Sequence, residues 1–323
     1  MIERTEIPLG KFRRRIRRNL APCACTAVLC GFIFLLFAAF TDNGQTDGKR
    51  RLPEEGYRIL PPALPDTLSF AGEAVPMNYF LVRERLEREL MVNTYWQSNQ
   101  LLLLKRSARY FPVLEKVLKE CGIPDDFKFL ALVESGLANV VSPAKAAGFW
   151  QLLPGTAKDL GLEVNDYVDE RYNLEKATRA ACAYLRMLYG HYGSWTLAAA
   201  AYNTGKNNID YHLQTQQTES YYHLHLPEET TRYVYRILAE KLILNEPDRY
   251  GFLLEKEDFY QPLHTRSISV DTAIHDLFAF ARQTGVSYQT LKLYNPWLRE
   301  RQLPNRSRRK YVFLLPTDSI GRE

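Results

Sequence analysis

The body of this sequence lacks an excess of charge of either sign. The chain of 323 residues has 42 Lys and Arg against 37 Asp and Glu, and the whole surplus lies within residues 1–20. A nucleic-acid-binding protein needs a basic surface on its folded part, so we expect no nucleic-acid partner. One basic cluster lies in the body, and we interpret it as a solvated loop or, second, as a contact with an anionic polymer: Arg299, Arg301, Arg306, Arg308, Arg309 and Lys310.

Cysteine is also scarce, and no pair has the spacing of metal ligands. Three of the five cysteines lie in an apolar N-terminal segment, while Cys121 and Cys182 lie in predicted helices. Disulfide frameworks and zinc sites show closely and regularly spaced cysteines. We therefore expect buried free thiols at the two helical positions, although one disulfide between them stays open. We predict neither a metal nor a cofactor.

The N-terminus combines a basic stretch with a long apolar run. Residues 13–18 hold five arginines, and residues 24–40 carry no charge. About 20 apolar residues span a bilayer, and a basic flank stays on the cytoplasmic side. We predict that residues 1–41 form an inner-membrane anchor with the body in the periplasm. A cleaved signal peptide is the alternative, and a lipoprotein signal is a weaker one.

The remaining chain divides into a linker and two folded parts. Residues 42–75 are predicted to be a linker, because polar residues open it and prolines stiffen its end. Over 76–250 apolar residues recur at helical spacing, which predicts helices at 79–92, 99–121 (one helix kinked at Pro112, or two), 126–135, 176–192, 196–203 and 228–245. Residues 258–317 have the pattern of a β-α-α-β module. The predicted fold class is mainly α, with a small α+β module, preceded by a transmembrane helix.

The helix predicted at 126–135 carries a glutamate on its apolar face. Phe127, Leu130, Ala131 and Glu134 follow the i, i+3, i+4, i+7 pattern of one helical stripe. Burial of a carboxylate is costly, and a raised pKa is the usual consequence. A carboxyl group protonated near neutral pH can donate to a glycosidic oxygen. On this helix alone, a structural Glu paired with an arginine is the favoured interpretation.

Further motifs after this helix change that balance. Glu134-Ser135-Gly136 is followed in order by Gly148-Phe149-Trp150-Gln151-Leu152-Leu153-Pro154, by Ala201-Tyr202-Asn203 and by Thr230-Thr231-Arg232-Tyr233. Together, from about residue 110 to 245, these segments resemble the catalytic domain of the soluble lytic transglycosylase family, and most closely its membrane-bound D type. The resemblance implies a lysozyme-like α domain that acts on the glycan strands of peptidoglycan.

The resemblance also implies a role for individual residues. Glu134 is the implied catalytic acid/base. Eight residues are implied to bind substrate or to orient Glu134: Ser135, Gly148, Trp150, Gln151, Leu153, Tyr202, Asn203 and Tyr233. Leu153 stands where the family usually has Met. Two simpler interpretations stay open, namely Trp150 as plain core and Asn203 as a helix terminus.

Most glycosidases use two carboxylates, whereas here Glu134 is the one good candidate. The resemblance implies that the N-acetyl group of the muramoyl sugar replaces the second. The predicted function is non-hydrolytic cleavage of the MurNAc-β-1,4-GlcNAc bond, which leaves 1,6-anhydromuramoyl ends, in cell-wall remodelling or turnover. The alternatives are a goose-type lysozyme-like muramidase, which uses water, and a catalytically inactive peptidoglycan-binding protein.

The C-terminal module resembles a divergent LysM domain, a peptidoglycan-binding unit. Gly285-Val286-Ser287 and Asn295 match the pattern of that family. The usual Gly-Asp-Thr-Leu after the first strand is missing, and residues 269–273 occupy its place. The resemblance implies that the module binds glycan, with a packing or partner module as the alternative.

Overall fold

The computed structural model describes residues 59–317. The predicted membrane anchor, residues 42–58 of the predicted linker and the three N-terminal cysteines lie outside this range. None of the helices within residues 59–317 is long and apolar enough to cross a membrane. The described part is mainly helical with two small sheets, which agrees with the predicted fold class.

Eight helices form the first part of the chain that the structure describes. All six predicted helices are present, and two short ones, α4 and α7, were not predicted. The bounds of all eight helices are α1 Phe80–Tyr95, α2 Gln97–Cys121, α3 Phe127–Ser135, α4 Pro154–Asp159, α5 Leu174–Tyr192, α6 Trp195–Thr204, α7 Lys206–Gln216 and α8 Glu228–Asn245. The α2 segment is one helix that continues through Pro112, so the two-helix alternative is wrong.

Helix α3 lies at the centre of this domain. It packs against α2 and α8, and α8 also contacts α1 and α6. Phe127, Leu130 and Ala131, three members of the stripe predicted from the sequence, are fully buried. Residues 198–201 of α6 are four alanines without exposed surface, and their small side chains let neighbouring helices approach closely. The helix that carries Glu134 is therefore packed into the core of the domain through its apolar face.

A small hairpin holds the residues just before α1. Its strands are β1 Ser69–Phe70 and β2 Glu73–Ala74, paired antiparallel. Phe70 is fully buried, with its ring edge-on to Phe127 at 5.3 Å between centroids. Residues 69–74 of the predicted linker thus form a hairpin that packs on the helical domain. Two-residue strands are too short to show the alternation that identifies a strand in a sequence.

Glu73 of this hairpin caps helix α6 from outside. Its carboxylate accepts hydrogen bonds from the backbone N–H groups of Trp195 and Thr196 and from the hydroxyl of Thr196 at 2.6 Å. The hydroxyl of Ser194 donates to it as well, at 3.0 Å. A carboxylate at this position satisfies unpaired N–H groups, and its negative charge interacts favourably with the positive end of the helix dipole. The hairpin thus fixes the start of α6, the helix whose last turn carries Tyr202 and Asn203.

The C-terminal module is a two-stranded sheet with two helices. Strands β3 Thr265–Val270 and β4 Tyr311–Pro316 pair antiparallel, and α9 Leu277–Gln283 and α10 Tyr288–Tyr294 lie between them in the chain. This order is the predicted β-α-α-β. Its core contains Leu277, Leu291, Phe313 and Leu315, all fully buried.

The basic cluster of this module does not consist only of solvated side chains. Arg309 forms ion pairs with Glu163 at 2.8 Å and with Glu170 at 3.2 Å. The guanidinium of Arg299 lies 4.1 Å from the ring centroid of Tyr172. Both arginines therefore contact the helical domain, although both remain exposed as the predicted solvated loop requires.

The two helical cysteines lie side by side as free thiols. Cys182 is fully buried in α5, whereas Cys121 at the end of α2 is partly exposed. Burial and the neighbouring thiol of Cys121 raise the pKa of Cys182. The expected free thiols are therefore present.

We expect Glu73→Gln to lower the free energy of unfolding by about 1–2 kcal/mol, because a neutral amide replaces a charged cap that accepts several hydrogen bonds. Thermal and denaturant unfolding measure this change. Glu84→Gln is the matched control, since Glu84 is an exposed α1 residue without an ion pair within residues 59–317. Equal unfolding free energies for the two variants would contradict the capping role.

Candidate active site

Glu134 lies in the last turn of α3, where the helix ends at Gly136. Its side chain is partly buried, and burial raises the pKa of its carboxyl group to about 7. A hydrogen bond from Tyr233 and the charge of Arg236 act in the opposite direction, whereas the charge of Glu229 raises the pKa further. Burial has the larger effect, so the group is half protonated near neutral pH. A carboxyl group in this state can both donate and accept a proton.

Two tyrosines accompany this carboxyl group. Tyr233, buried on α8, donates its hydroxyl hydrogen bond to Oε1 of Glu134. Tyr202, near the end of α6, donates to the backbone oxygen of Trp150 at 2.7 Å. Burial and the charge of Glu134 raise the pKa of both hydroxyls well above the usual range. Both therefore stay protonated and act as hydrogen-bond donors.

Residues 138–153, the motif loop, connect α3 to α4. Gly148 has φ of 79° and lies against the neighbouring chain, so a Cβ there would lie 2.0 Å from the backbone oxygen of Arg171. Only glycine fits this position. Gln151 also has a positive φ, of 45°, and its amide donates to the oxygens of Gly148 and Val140 at 2.8 and 3.1 Å. The loop is thus folded onto itself.

Trp150 is core rather than groove surface. Its side chain is fully buried, and its Nε1–H donates to the hydroxyl of Thr178 at 2.9 Å. This is the simpler of the two interpretations that the sequence left open. Trp150 reaches the site through its backbone oxygen, which accepts from Tyr202. Its ring anchors the motif loop to α5.

Arg171, which no sequence motif identified, binds backbone oxygens of the motif loop. Arg171 donates through Nη1 to the oxygens of Lys145 and Leu152 at 2.8 and 3.0 Å. Its Nε and Nη2 donate to both carboxylate oxygens of Asp169, at 2.9 and 2.7 Å. Both side chains are nearly buried. Asp169 also caps the turn that follows it, by accepting a hydrogen bond from the backbone N–H of Arg171.

The remaining predicted residues have three different situations. The hydroxyl of Ser135 is buried and donates to the oxygen of Ala131 at 3.0 Å within α3. Leu153 is 46% exposed, which leaves its side chain open to a ligand. The amide of Asn203 is partly buried and makes no hydrogen bond within residues 59–317. Leu153 and Asn203 are therefore available for contacts with a ligand.

Several other acids of the helical domain form ion pairs away from this site. Asp126 pairs with Lys241 at 2.7 Å and Asp125 pairs with Lys128. Glu170 pairs with Lys176 as well as with Arg309. Within residues 59–317 no three His, Cys, Asp or Glu side chains converge as metal ligands would. Glu134 is thus the acid that this geometry singles out.

Comparison with known proteins assigns both folded parts. Residues 114–225 match the transglycosylase SLT domain, and residues 266–319 match the soluble lytic transglycosylase C-terminal LysM-like domain. The chain carries an SLT domain followed by a LysM-like domain. The SLT match covers α3, the motif loop and α6, and it ends before Tyr233 of α8.

Two relatives extend this assignment. The chain is 28% identical over 254 residues to membrane-bound lytic murein transglycosylase D of Escherichia coli K12, over 76% of this chain and 54% of that protein. It is 31% identical over 109 residues to a tributyltin chloride resistance protein of Alteromonas sp. strain M-1, over 32% of this chain and 53% of that protein. The chain therefore spans about half the length of the curated relatives that it matches.

Among solved structures, the 70 kDa soluble lytic transglycosylase of Escherichia coli matches 47% of this chain and 26% of its own, with 20% identity and a TM-score of 0.36. An inactive variant of a lytic transglycosylase from Pseudomonas aeruginosa matches the same shares with a TM-score of 0.34.

We expect Glu134→Gln to stabilise the protein increasingly as pH rises from about 4.5 to about 7. The pKa of Glu134 in the folded state, about 7, exceeds its ordinary value of 4.5, so its favourable contribution is present below pH 4.5 and is lost as pH rises through 7. A neutral glutamine avoids this loss, which amounts to about 3 kcal/mol above pH 7 for a pKa raised from 4.5 to about 7.

Denaturant unfolding of both proteins between pH 4 and 8 measures the difference. A gap between the two curves that does not change with pH would mean that Glu134 titrates at its ordinary pKa.

Proposed function

We propose that this protein is a peptidoglycan lytic transglycosylase in which Glu134 is the acid/base. The observation that carries the proposal is the hydrogen bond from Tyr233 to Glu134, which lies within the residues matched to the SLT domain and has its carboxyl pKa raised to about 7. The relatives named as murein transglycosylases support the substrate class. A lysozyme-like arrangement of the helical domain fits the central position of α3.

In the first step, protonated Glu134 donates its proton to the glycosidic oxygen between MurNAc and GlcNAc. Its raised pKa supplies the proton near neutral pH, and the hydroxyl of Tyr233 then stabilises the carboxylate that forms. The substrate's N-acetyl group assists departure of the leaving group, in place of a second carboxylate. We assign the free amide of Asn203 and the exposed side chain of Leu153 to contacts with the reacting sugar.

In the second step, the Glu134 carboxylate accepts the proton of the muramoyl 6-hydroxyl group. The 6-oxygen attacks the anomeric carbon and closes a 1,6-anhydro ring, so that no water is consumed. One group therefore acts as acid and then as base, which requires a pKa close to the working pH.

We propose that this reaction takes place in the cell envelope. The basic and apolar residues 1–41 fit an inner-membrane anchor with the body in the periplasm, and the relative named as membrane-bound agrees with such a location. The LysM-like domain fits a glycan-binding role beside the SLT domain.

The first test uses the full chain in detergent with purified peptidoglycan and mass spectrometry of the released products. We expect muropeptides about 18 Da lighter than hydrolysis products, one water less, and at least a thousandfold slower release by Glu134→Gln.

Glu240→Gln is the matched control, because Glu240 also has a pKa raised to about 7 by burial but is fully enclosed beside Gln100. It should keep the parent rate. Products of hydrolytic mass would identify a lysozyme-type muramidase, and a chain that releases nothing would be a wall-binding protein.

We expect Tyr233→Phe to shift the basic limb of the pH–rate profile to higher pH. The hydroxyl of Tyr233 lowers the pKa of Glu134 by donating to its carboxylate, so its removal raises that pKa and keeps the acid protonated longer. The rate should also fall, by about tenfold or more. A pH–rate series on both proteins measures this, and a basic limb that stays in place would exclude Glu134 as the group that titrates there.

A further inference from the structure

The LysM-like domain shares a hydrophobic core with the SLT domain. Val168 and Tyr172 of the helical part are buried among Trp297, Leu298 and Tyr311 of the module. Ala147, a member of the motif loop, is buried in the same cluster, with 1% of its surface exposed. The module therefore reaches the loop that carries the SLT motif residues.

Backbone pairing fixes the two parts against one another. Residues 163–172, the docking segment, run beside residues 297–299: Asp169 N donates to Trp297 O and Arg299 N donates to Tyr167 O, both at 2.9 Å. Val168 and Leu298 face each other as an antiparallel pair. This is a single antiparallel β-bridge between the two parts, and its register is fixed because both side chains are buried.

Charged contacts surround this pairing. Arg309 binds Glu163 and Glu170 of the docking segment, and the hydroxyl of Tyr311 donates to Glu163 at 3.0 Å. Glu170 has only 2% of its surface exposed, so its charge depends on Arg309 and Lys176 for compensation. A buried carboxylate that loses a partner is costly. The module thus supplies part of the charge compensation for the buried carboxylate of the docking segment.

The same segment holds the motif loop. Asp169, whose N–H pairs with the module, orients the guanidinium of Arg171 through two hydrogen bonds. Arg171 in turn donates to Lys145 O in the middle of the loop and to Leu152 O near its end. A continuous set of contacts therefore runs from the LysM-like domain through Asp169 and Arg171 to the residues that flank Gly148.

We propose that the LysM-like domain is a fixed support of the motif loop, and that Asp169 and Arg171 are positioning residues that transmit this support. The activity readout of this inference rests on the proposed function, whereas its structural readout does not. A module that serves only as a wall-binding tether would have no need of backbone pairing with the docking segment.

The main test is Arg309→Glu, which sets a carboxylate against Glu163 and Glu170. Its matched control is Arg306→Glu, the same charge change at an exposed arginine of the same module without an ion pair within residues 59–317. We expect hydrogen exchange at the amides of Ala147 and Gly148, which bond to Leu152 O and Val140 O, to become roughly tenfold faster in Arg309→Glu. The control should leave it unchanged.

Turnover is measured on two substrates, insoluble sacculi and soluble peptidoglycan fragments of a few disaccharides. A loose motif loop slows cleavage of both by the same factor, mainly through a higher KM. Loss on sacculi alone would show a wall-binding tether and overturn the inference, as would unchanged exchange in Arg309→Glu. If the parent chain cleaves neither substrate, the proposed function fails, while the exchange result still decides whether the module supports the loop.

A second variant covers the case in which Arg309→Glu unfolds the module. Val168 and Leu298 form a non-hydrogen-bonded antiparallel pair, in which Cα atoms lie about 4.5 Å apart and a disulfide fits. The double variant Val168→Cys, Leu298→Cys, oxidised and then reduced, should keep the same loop protection and turnover in both states, with the oxidised parent chain as control. Slower cleavage in the locked state would show that the module must move, which would overturn the inference.

Discussion

The burial of one carboxyl group, that of Glu134, is the constraint on which the site depends. Helix α3 packs against α2 and α8, so the Glu134 side chain at its end is shielded from water on most sides. A carboxylate there is unfavourable, and the surrounding helices supply its compensation: Tyr233 from α8 by a hydrogen bond and Arg236 by its charge. The balance between burial and these two groups sets the pKa near neutral pH, which is the property that acid/base chemistry requires.

The helices could be predicted because a long apolar stripe at 3.6-residue spacing is recognisable in the sequence without knowledge of the tertiary contacts. Glu228–Asn245 has the bounds that the pattern predicted. The hairpin around Phe70 could not be predicted, since its identity comes from contacts with Phe127 and with the start of α6, both far away in the chain. Lys206–Gln216 buries a single residue, Ile209, so it has no apolar stripe to recognise.

For the site, sequence motifs identified which residues belong together but not what each side chain does. Trp150 and Ser135 lie in the motifs, yet their side chains are used for packing and for an internal hydrogen bond. Arg171 lies in no motif that was recognised, because its partners are backbone oxygens, which any sequence supplies. Gly148 gave a clearer signal, and the structure explains it by the close approach of Arg171 O. A role that depends on contacts with backbone atoms cannot be read from the types of the contacting residues.

A raised pKa does not by itself identify the working acid, and this chain contains its own counterexample. Burial raises the pKa of Glu240 to about 7 as well, the same value as that of Glu134. Glu240, however, is 2% exposed and accepts a hydrogen bond from Gln100, inside the contact of α8 with its neighbours. No glycan can reach it. Glu134 differs in lying at a helix end, partly exposed and beside the protonated hydroxyl of Tyr233. Access together with a donor, rather than the pKa, therefore separates a reactive carboxyl group from a buried structural one.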